Sequence, residues 1–258
     1  MVRRKRDGKS RHFAAAEEIG SRILRGDFAP GMLLPNEAEW CRRLHMSRSA
    51  VREAIKMLKA KGLLHSRPKV GTRVEPRARW NLLDRDVLAW YMAMPDRNRF
   101  LRSVQEMRRI FEPEAAALAA VHRDAEQMNA ISTACRDMGT ATDFEKRIEA
   151  DVRFHLAILM AAGNEFLVPF GFLIESALTN VFVQVTHQVG SLRHAQSLHE
   201  DIERAIRRRR PEAARRTARR LISDTDDVID HMPPAAARSP AKRRKPSAGG
   251  RQHPVADR

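Results

Sequence analysis

One stretch of the sequence places a carboxylate and an imidazole at a spacing that metal ligands use. In the string ADVRFHLAIL, Asp151 and His155 are four residues apart, so a helix would carry both on one face. A third candidate, His199, opens the later string HEDIERAI. Carboxylate and imidazole groups together suit a divalent transition metal. An ordinary contact along one helix face is the alternative explanation for the first pair.

A second group of residues has the types and spacing that meet nucleic acid. The string SRSAVREAIKMLKAKG predicts a helix, and its first turns carry Arg48, Ser49 and Arg52. Arg48 and Arg52 are four residues apart and share a helix face, from which guanidinium groups can reach base edges. A solvated basic helix face is the alternative.

The distribution of charge separates the chain into two kinds of region. The formal net charge is +16 over 258 residues. Residues 1–11 and 12–75 each carry +5, residues 76–232 carry as many acids as bases, and residues 233–258 carry +6. The split predicts one part that meets a polyanion and a neutral part with another task. Both termini read as disordered, a basic arm at 1–11 and a basic tail at 233–258.

Cysteine usage and hydropathy exclude several classes of protein. Cys41 and Cys135 stand far apart, so we expect no disulfide framework and no cysteine-based zinc motif. A reduced, cytoplasmic setting fits this usage. No apolar segment of the secretory kind follows the basic N-terminus. Polar residues and a proline interrupt the most apolar stretch, 156–174, so no membrane partner is expected.

The elements that must position these side chains fall into two sets. Helices are predicted near 13–25, 36–45 and 48–62, followed by two short strands around a turn at Pro68–Lys69. Helix, helix, turn, helix and wing together form the plan of a winged helix-turn-helix, which we assign to residues 12–76.

The remainder is predicted to be helical, and the fold class is mainly α. Residues 77–96 are a linker with a short helix, and residues 97–232 form an antiparallel all-α bundle because short connections join its helices. The predicted helices of the bundle span 98–121, 124–138, 143–162, 165–187, 191–209 and 211–231.

The N-terminal part resembles the DNA-binding domain of the GntR superfamily of transcriptional regulators. Residues 17–75 carry its ordered strings ILRGDFAPGMLLPNEAEW, MSRSAVREAIKMLKAKGLL and VGTRV. The resemblance implies that Arg48, Ser49 and Arg52 contact DNA and that the wing enters the minor groove. The family usually has Gly at the wing tip where this chain has Pro68–Lys69, and we expect Lys69 to meet a phosphate.

The helical part resembles the ligand-binding domain of the FadR subfamily, called FCD. The similar strings are EMRRIFEPEAAALAA (106–120), DVRFHLAILMAAGN (151–164) and HEDIERAIRRRRPEAA (199–214). The resemblance implies one divalent metal on Asp151, His155 and His199 at the floor of an effector cavity. It also implies that Arg108 pairs with a carboxylate of the effector. A structural ion pair with Glu112, one turn on, is the alternative role of Arg108.

One ligand of the family's usual metal set is missing. The last His of the pattern should fall about where this chain has Leu221, so the site has three ligands, uses a nearby group such as Asp224, or is degraded. The resemblance implies Zn²⁺, Ni²⁺ or Mn²⁺. The linker string ARWNLLDRDVLAW (78–90) is similar to that of galactonate-operon repressors and related sugar-acid regulators, which implies a sugar acid as the effector.

The sequence therefore predicts a cytoplasmic, homodimeric, metabolite-responsive transcriptional regulator, a repressor that binds an inverted-repeat operator in double-stranded DNA. We expect no enzymatic activity. One alternative is a metal-dependent enzyme, in which the open position of an Asp/His/His site activates water, although no nucleophile motif accompanies it. The other is an architectural DNA-binding protein without a ligand.

Overall fold

The computed structural model describes residues 11–94, 97–176 and 189–230. The predicted basic arm, apart from Arg11, and the predicted basic tail lie outside these residues. Within them the protein is mainly helical, with one small sheet, as the sequence predicts.

The N-terminal elements form a winged helix-turn-helix. They are α1 (Arg11–Arg25), α2 (Glu37–Leu44), α3 (Arg48–Ala60), β1 (Leu64–Arg67) and β2 (Gly71–Val74). The two strands pair in antiparallel register, with Leu64 opposite Val74 and Arg67 opposite Gly71. The wing therefore turns at residues 68–70, as predicted.

Local sequence signals set where these helices begin and which face they bury. The Ser47 hydroxyl accepts a hydrogen bond from the backbone N–H of Ala50 at 3.3 Å, which caps the first turn of α3. Val51 and Leu58 of α3 are fully buried against the small domain's core, in which Trp40 of α2 is also fully buried. The face of α3 opposite this core is consequently left to solvent.

The next segment ties the recognition helix to a short linker helix. A turn of 3-10 helix (Arg77–Arg79) precedes α4 (Arg85–Met92), which Asp84 caps. Lys61, just after α3, is buried, and its Nζ lies 2.7 Å from Oδ1 of Asp84 and 2.8 Å from Oδ2 of Asp86. The end of α3 and the start of α4 are thus joined by one ammonium and two carboxylates.

Helix α4 packs on both sides. On one side the ring of Trp90 in α4 lies against Gly20 of α1. A Cβ atom at position 20 would lie 2.3 Å from that ring, so only glycine fits there. On the other side Leu88 and Met92 share a small apolar cluster with Leu101 in the following helix. The predicted linker helix therefore contributes side chains both to the core of the DNA-binding domain and to the apolar cluster at the start of the next helix.

The C-terminal elements form the predicted helical bundle. They are α5 (Arg97–His122), α6 (Ala125–Thr140), α7 (Phe144–Ala161), a 3-10 helix (Glu165–Phe170), α8 (described over 171–176), α9 (Val189–Arg207) and α10 (Pro211–Asp230). Helices α5 and α10 run antiparallel, because Gln105 bonds to the carbonyl of Ile222 while Arg215 pairs with Glu114. None of the helices in the described ranges is long and apolar enough to cross a membrane.

One predicted helix boundary is wrong. The helix expected over 165–187 starts as the 3-10 helix Glu165–Phe170, and α-helix begins only at residue 171. Pro169 accounts for the difference, since it has no N–H to donate and its ring clashes with the carbonyl four residues earlier in an α-helix. Residues 177–188 of the predicted helix lie outside the described residues.

Replacing Lys61 by Met should destabilise the DNA-binding domain. Asp84 and Asp86 would lose their shared cation, and hydrogen bonds to charged groups contribute about 1.5–3 kcal/mol. We expect the free energy of unfolding, measured by urea denaturation, to fall by about 2 kcal/mol. The control is Lys56→Met, because Lys56 forms an exposed pair with Glu53 that should contribute less than about 1 kcal/mol. An equal loss in both variants would contradict the assignment.

Candidate DNA interface and candidate metal centre

The three residues predicted to contact DNA lie together at the exposed start of α3. Arg48, Ser49 and Arg52 are all exposed. Arg48 makes no ion pair with any residue of the described ranges. The Nη2 atom of Arg52 lies 3.2 Å from Oε2 of Glu37, so α2 orients this side chain without burying it. Two guanidinium groups and a hydroxyl are therefore available on the surface that a recognition helix presents to the major groove.

The wing tip presents a lysine in an unusual backbone conformation. Lys69 has a φ of +62°, in the left-handed region that favours glycine. The Val70 N–H donates to the carbonyl of Arg67 at 3.2 Å and closes the turn. Lys69 is exposed, which suits contact with a phosphate. This conformation is one that Gly adopts readily, which agrees with the Gly that the resemblance implies at the wing tip in place of Pro68–Lys69.

The three predicted metal ligands converge in the core of the bundle. Asp151 and His155 of α7 and His199 of α9 are all buried. Oδ1 of Asp151 lies 3.2 Å from Nε2 of His155 and 3.1 Å from Nε2 of His199. One potential ligand atom from each of the three residues lies within 4.8 Å of the others. The predicted grouping of one carboxylate and two imidazoles is therefore present as a cluster.

The hydrogen bonding of the cluster fits a cation. Nδ1 of His199 lies 2.6 Å from the carbonyl of Ala195, an acceptor only, so Nδ1 carries the proton and a neutral ring turns the Nε2 lone pair toward Asp151. Neither Nε2 of His199 nor Oδ1 of Asp151 has a hydrogen-bond partner in the described structure. Zinc ligands about 2.0–2.1 Å from the metal stand about 3.3 Å apart at tetrahedral angles, close to the separations observed.

The electrostatics of the cluster favour ionised carboxylates. Burial alone would raise the pKa of Asp151, but the attraction of His199 and His155 in their charged forms holds that pKa below its usual range. Burial would also raise the pKa of Glu112, yet Arg108 and His155 lower it to about 2. Burial would lower the pKa of His155, yet Glu112 and Asp151 raise it to about 9, so at neutral pH this ring is a cation between two anionic carboxylates. A divalent metal on Nε2 of His155 would displace that proton.

Glu112 is a residue of this site that its spacing in the sequence marks only as a partner of Arg108. Oε2 of Glu112 lies 2.8 Å from Nδ1 of His155, and both side chains are almost completely buried. A proton held on Nδ1 leaves Nε2 of His155 to face Asp151. This carboxylate–imidazole pairing is the usual way to orient a histidine ligand. Nothing in the sequence joins these two residues, because they belong to different helices.

Arg108 is buried and forms the ion pair that was the alternative to an effector contact. Its Nε donates to Oε1 of Glu112, and its Nη1 donates to Oε1 of Gln105 at 3.3 Å. Gln105 in turn donates to the carbonyl of Ile222 in α10 at 3.1 Å. Nη2 of Arg108 makes no hydrogen bond within the described ranges.

The position of the missing ligand is apolar. Leu221 is buried and, with Glu112 and His155, lines a cavity of about 10 Å³, which has room for about one water molecule. Asp224, the other group considered, lies 2.8 Å from Nε2 of His194 instead. Within the described residues the group of potential ligands consists of Asp151, His155 and His199.

A winged helix-turn-helix joined to a helical bundle is the architecture of DNA-binding transcription regulators. Family models agree with this architecture. Residues 13–74 match the model described as bacterial regulatory proteins, gntR family, and residues 103–224 match the FCD domain. The chain belongs to the GntR family of bacterial transcription regulators and carries an FCD domain.

Similar proteins are named as regulators rather than enzymes. The uncharacterized HTH-type transcriptional regulator YieP of Escherichia coli is 35% identical, over 84% of this chain and 95% of that protein. The galactonate operon transcriptional repressor of E. coli is 32% identical, over 80% and 91%. The Glc operon transcriptional activator of E. coli is 30% identical, over 79% and 83%. Our chain is accordingly a DNA-binding regulator and not an enzyme.

A solved structure shares the fold. Lar of Listeria monocytogenes is 19% identical and superposes with a TM-score of 0.61, over 88% of this chain and 100% of that one.

Replacing Glu112 by Gln should weaken metal binding about 10- to 100-fold, because His155 would lose the carboxylate that orients its ring. The affinity for Zn²⁺ can be measured by competition with a chelating dye, and circular dichroism checks that the helices are intact. Glu114→Gln is the matched control, since Glu114 lies two residues further along α5, is partly exposed and pairs with Arg215. Unchanged zinc affinity in folded Glu112→Gln protein would show that Glu112 does not support the site.

Proposed function

We propose that this protein is a cytoplasmic repressor that binds an inverted-repeat operator as a homodimer and is controlled by a sugar-acid metabolite. The observation that carries this proposal is the buried cluster of Asp151, His155 and His199 in a bundle that also packs against α4. A ligand at the cluster can act on the DNA-binding domain through that packing.

The DNA-binding domain reads its operator with α3 and holds it with the wing. Arg48, Ser49 and Arg52 contact base edges in the major groove, and Lys69 meets a phosphate. Two-fold symmetry of the homodimer requires two half-sites in inverted orientation. Among the similar proteins are a repressor and an activator, and we assign repression to this chain on its likeness to the galactonate operon repressor.

The cluster holds one divalent metal, Zn²⁺, Ni²⁺ or Mn²⁺. Asp151 supplies a carboxylate oxygen, and His155 and His199 supply Nε2 atoms. A bound metal would act as a Lewis acid that anchors an oxygen ligand. Because Leu221 cannot coordinate, an exchangeable oxygen donor can take the remaining position, and a carboxylate of the effector is such a donor.

Arg108 and the small cavity determine which contacts an effector would make and what must move for it to enter. Glu112 and Gln105 occupy two nitrogens of Arg108, and Nη2 is left for an effector carboxylate. A sugar acid is far larger than the cavity of about 10 Å³, so its entry requires the Leu221 side of α10 to move outward. Binding would then change the packing between α10 and α5, and α5 packs on α4.

A sugar acid is the preferred effector because of the relatives. One similar protein is named for a galactonate operon, and the linker string at 78–90 resembles that group. An aldonate has one carboxylate for the metal or Arg108 and several hydroxyls for further coordination. The cofactor and the effector therefore share one site in this proposal.

Arg48→Ala should lower operator affinity by about 1–3 kcal/mol and reduce discrimination between operator and random DNA, because a bidentate base contact would be lost. Arg52→Ala should behave in the same way. Lys69→Gly is the control, since Gly accepts the positive φ while the phosphate contact is lost, and it should weaken binding to all sequences evenly. Fluorescence anisotropy with both DNAs measures each effect. Intact discrimination in Arg48→Ala would contradict the recognition-helix assignment, and equal wild-type affinity for both DNAs would favour an architectural protein.

Metal and effector should bind with positive coupling, because each supplies part of the other's site. Calorimetry with galactonate should show at least tenfold weaker binding to chelator-treated protein than to zinc-loaded protein. Asp151→Ala should reproduce that loss, and Asp137→Ala, an exposed partner of Arg153, should not. Leu221→His should raise the affinity for zinc and lower the affinity for galactonate, because the new imidazole would fill the coordination position that the galactonate carboxylate uses. Equal galactonate affinity with and without zinc would contradict a shared site.

A further inference from the structure

The turn between α9 and α10 concentrates positive charge in a domain that is neutral as a whole. Residues 204–220 contain nine arginines and one glutamate. Although residues 76–232 carry no net charge, this part of the bundle is therefore strongly basic.

Five of these arginines have structural partners in the described residues. Arg204, Arg207, Arg215 and Arg219 pair with carboxylates, and Arg209 donates to two backbone carbonyls. The other four are exposed and form no ion pair within the described ranges. We call this set the arginine corner: Arg208, Arg210, Arg216 and Arg220.

The corner is held in place by hydrogen bonds rather than carried on a free loop. Nη1 of Arg209 donates to the carbonyl of Val121 at 2.7 Å, and Nη2 donates to that of Arg123 at 3.2 Å. Arg123 donates in return to the carbonyl of Arg207 at 2.8 Å. These bonds fasten the turn to the end of α5.

The charges of α10 oppose its own helix dipole. The N-terminal end of a helix is positive and favours acidic residues, whereas the C-terminal end favours basic ones. Apart from Glu212, the first three turns of α10 carry arginines, and its last turn has no basic residue. Four aspartates lie in the last two turns: Asp224, Asp226, Asp227 and Asp230. Helix stability does not explain this order, and a bound polyanion at the start of α10 would offset the repulsion.

The turn that carries Arg208 and Arg210 lies at the end of the bundle opposite the DNA-binding domain, and Arg216 and Arg220 follow along α10. Leu101 near the start of α5 packs with Leu88 of α4, and Val121 near its end bonds to Arg209. Twenty residues of α-helix between these points span about 30 Å. The duplex bound by α3 is therefore not the duplex that Arg208 and Arg210 of the same chain would meet.

We propose that the arginine corner binds the phosphate backbone of a second DNA segment, so that one protein joins two duplexes. Exposed guanidinium groups pair with phosphates through two parallel hydrogen bonds. Since the corner consists of exposed arginines at a turn and on one helix, its contacts are to phosphates and do not depend on base sequence. The inference rests on the proposed operator binding for the first duplex only.

A capture experiment with the full chain tests this proposal. An operator duplex is immobilised, protein is bound, and a fluorescent duplex without the operator is added. We expect R208Q/R216Q/R220Q to bind the operator within twofold of wild type and to capture the second duplex at least tenfold less well. The slope of log capture against log salt should become shallower by about 2.7, for three lost phosphate contacts.

The matched control is R99Q/R136Q/R193Q, which removes three exposed arginines elsewhere on the bundle and should capture like wild type. The basic tail is present in all three proteins, so it cannot cause a difference between them. Absent capture by wild type, equal capture by the corner variant, or equal loss in the control would each overturn the proposal. Capture of polyglutamate in place of DNA would also overturn it and indicate an acidic protein partner. If the wild-type protein did not bind the operator, that result would contradict the proposed function instead.

Discussion

A chain of buried polar side chains is the constraint on which the helical bundle depends. It crosses from α10 through α5 to α7 and α9 by way of the Ile222 carbonyl, Gln105, Arg108, Glu112, His155, Asp151 and His199. Isolated charges in an apolar interior are costly, and breaking one buried pair leaves the other charge uncompensated. The four helices must therefore keep the register in which each group meets its partner. The candidate metal-binding side chains are therefore held in their orientation by contacts within the protein.

The same register links the bundle to the DNA-binding domain. Helix α5 carries Arg108 and Glu112 in the bundle core, and near its start Leu101 packs against α4. Helix α4 is fastened to the end of α3 by Lys61 and two aspartates. A shift of α5 or α10 at the cluster therefore has a continuous packed route to the recognition helix. Such a route is one physical means by which binding at the cluster would change DNA affinity.

Exposed positive charge lies in two separate places on the molecule. The exposed cations of α3 and the wing stand at one end, and the arginine corner begins at the other end of α5 and continues along α10. Between them the charged residues of the core are neutralised in pairs, as Arg108 and Glu112 are. Because the helical region carries no net charge as a whole, its composition does not show that its exposed positive charge is localised.

The sequence by itself determined the features that depend on neighbours along the chain. Helical spacing placed Asp151 and His155 on one face, and capping chemistry at Ser47 set the start of α3. Resemblance added His199, and the structure brings it to the pair. The 3-10 helix at Glu165–Phe170 was missed, although Pro169 was a local signal for it.

Only the tertiary structure decided the contacts between helices. It placed Glu112 behind His155, turned Asp224 toward His194, and closed the cavity at Leu221. Periodicity shows which face of a helix is buried, but it does not show which residue of another helix lies opposite. That pairing depends on the rotation and register of packed helices, which the whole core sets together.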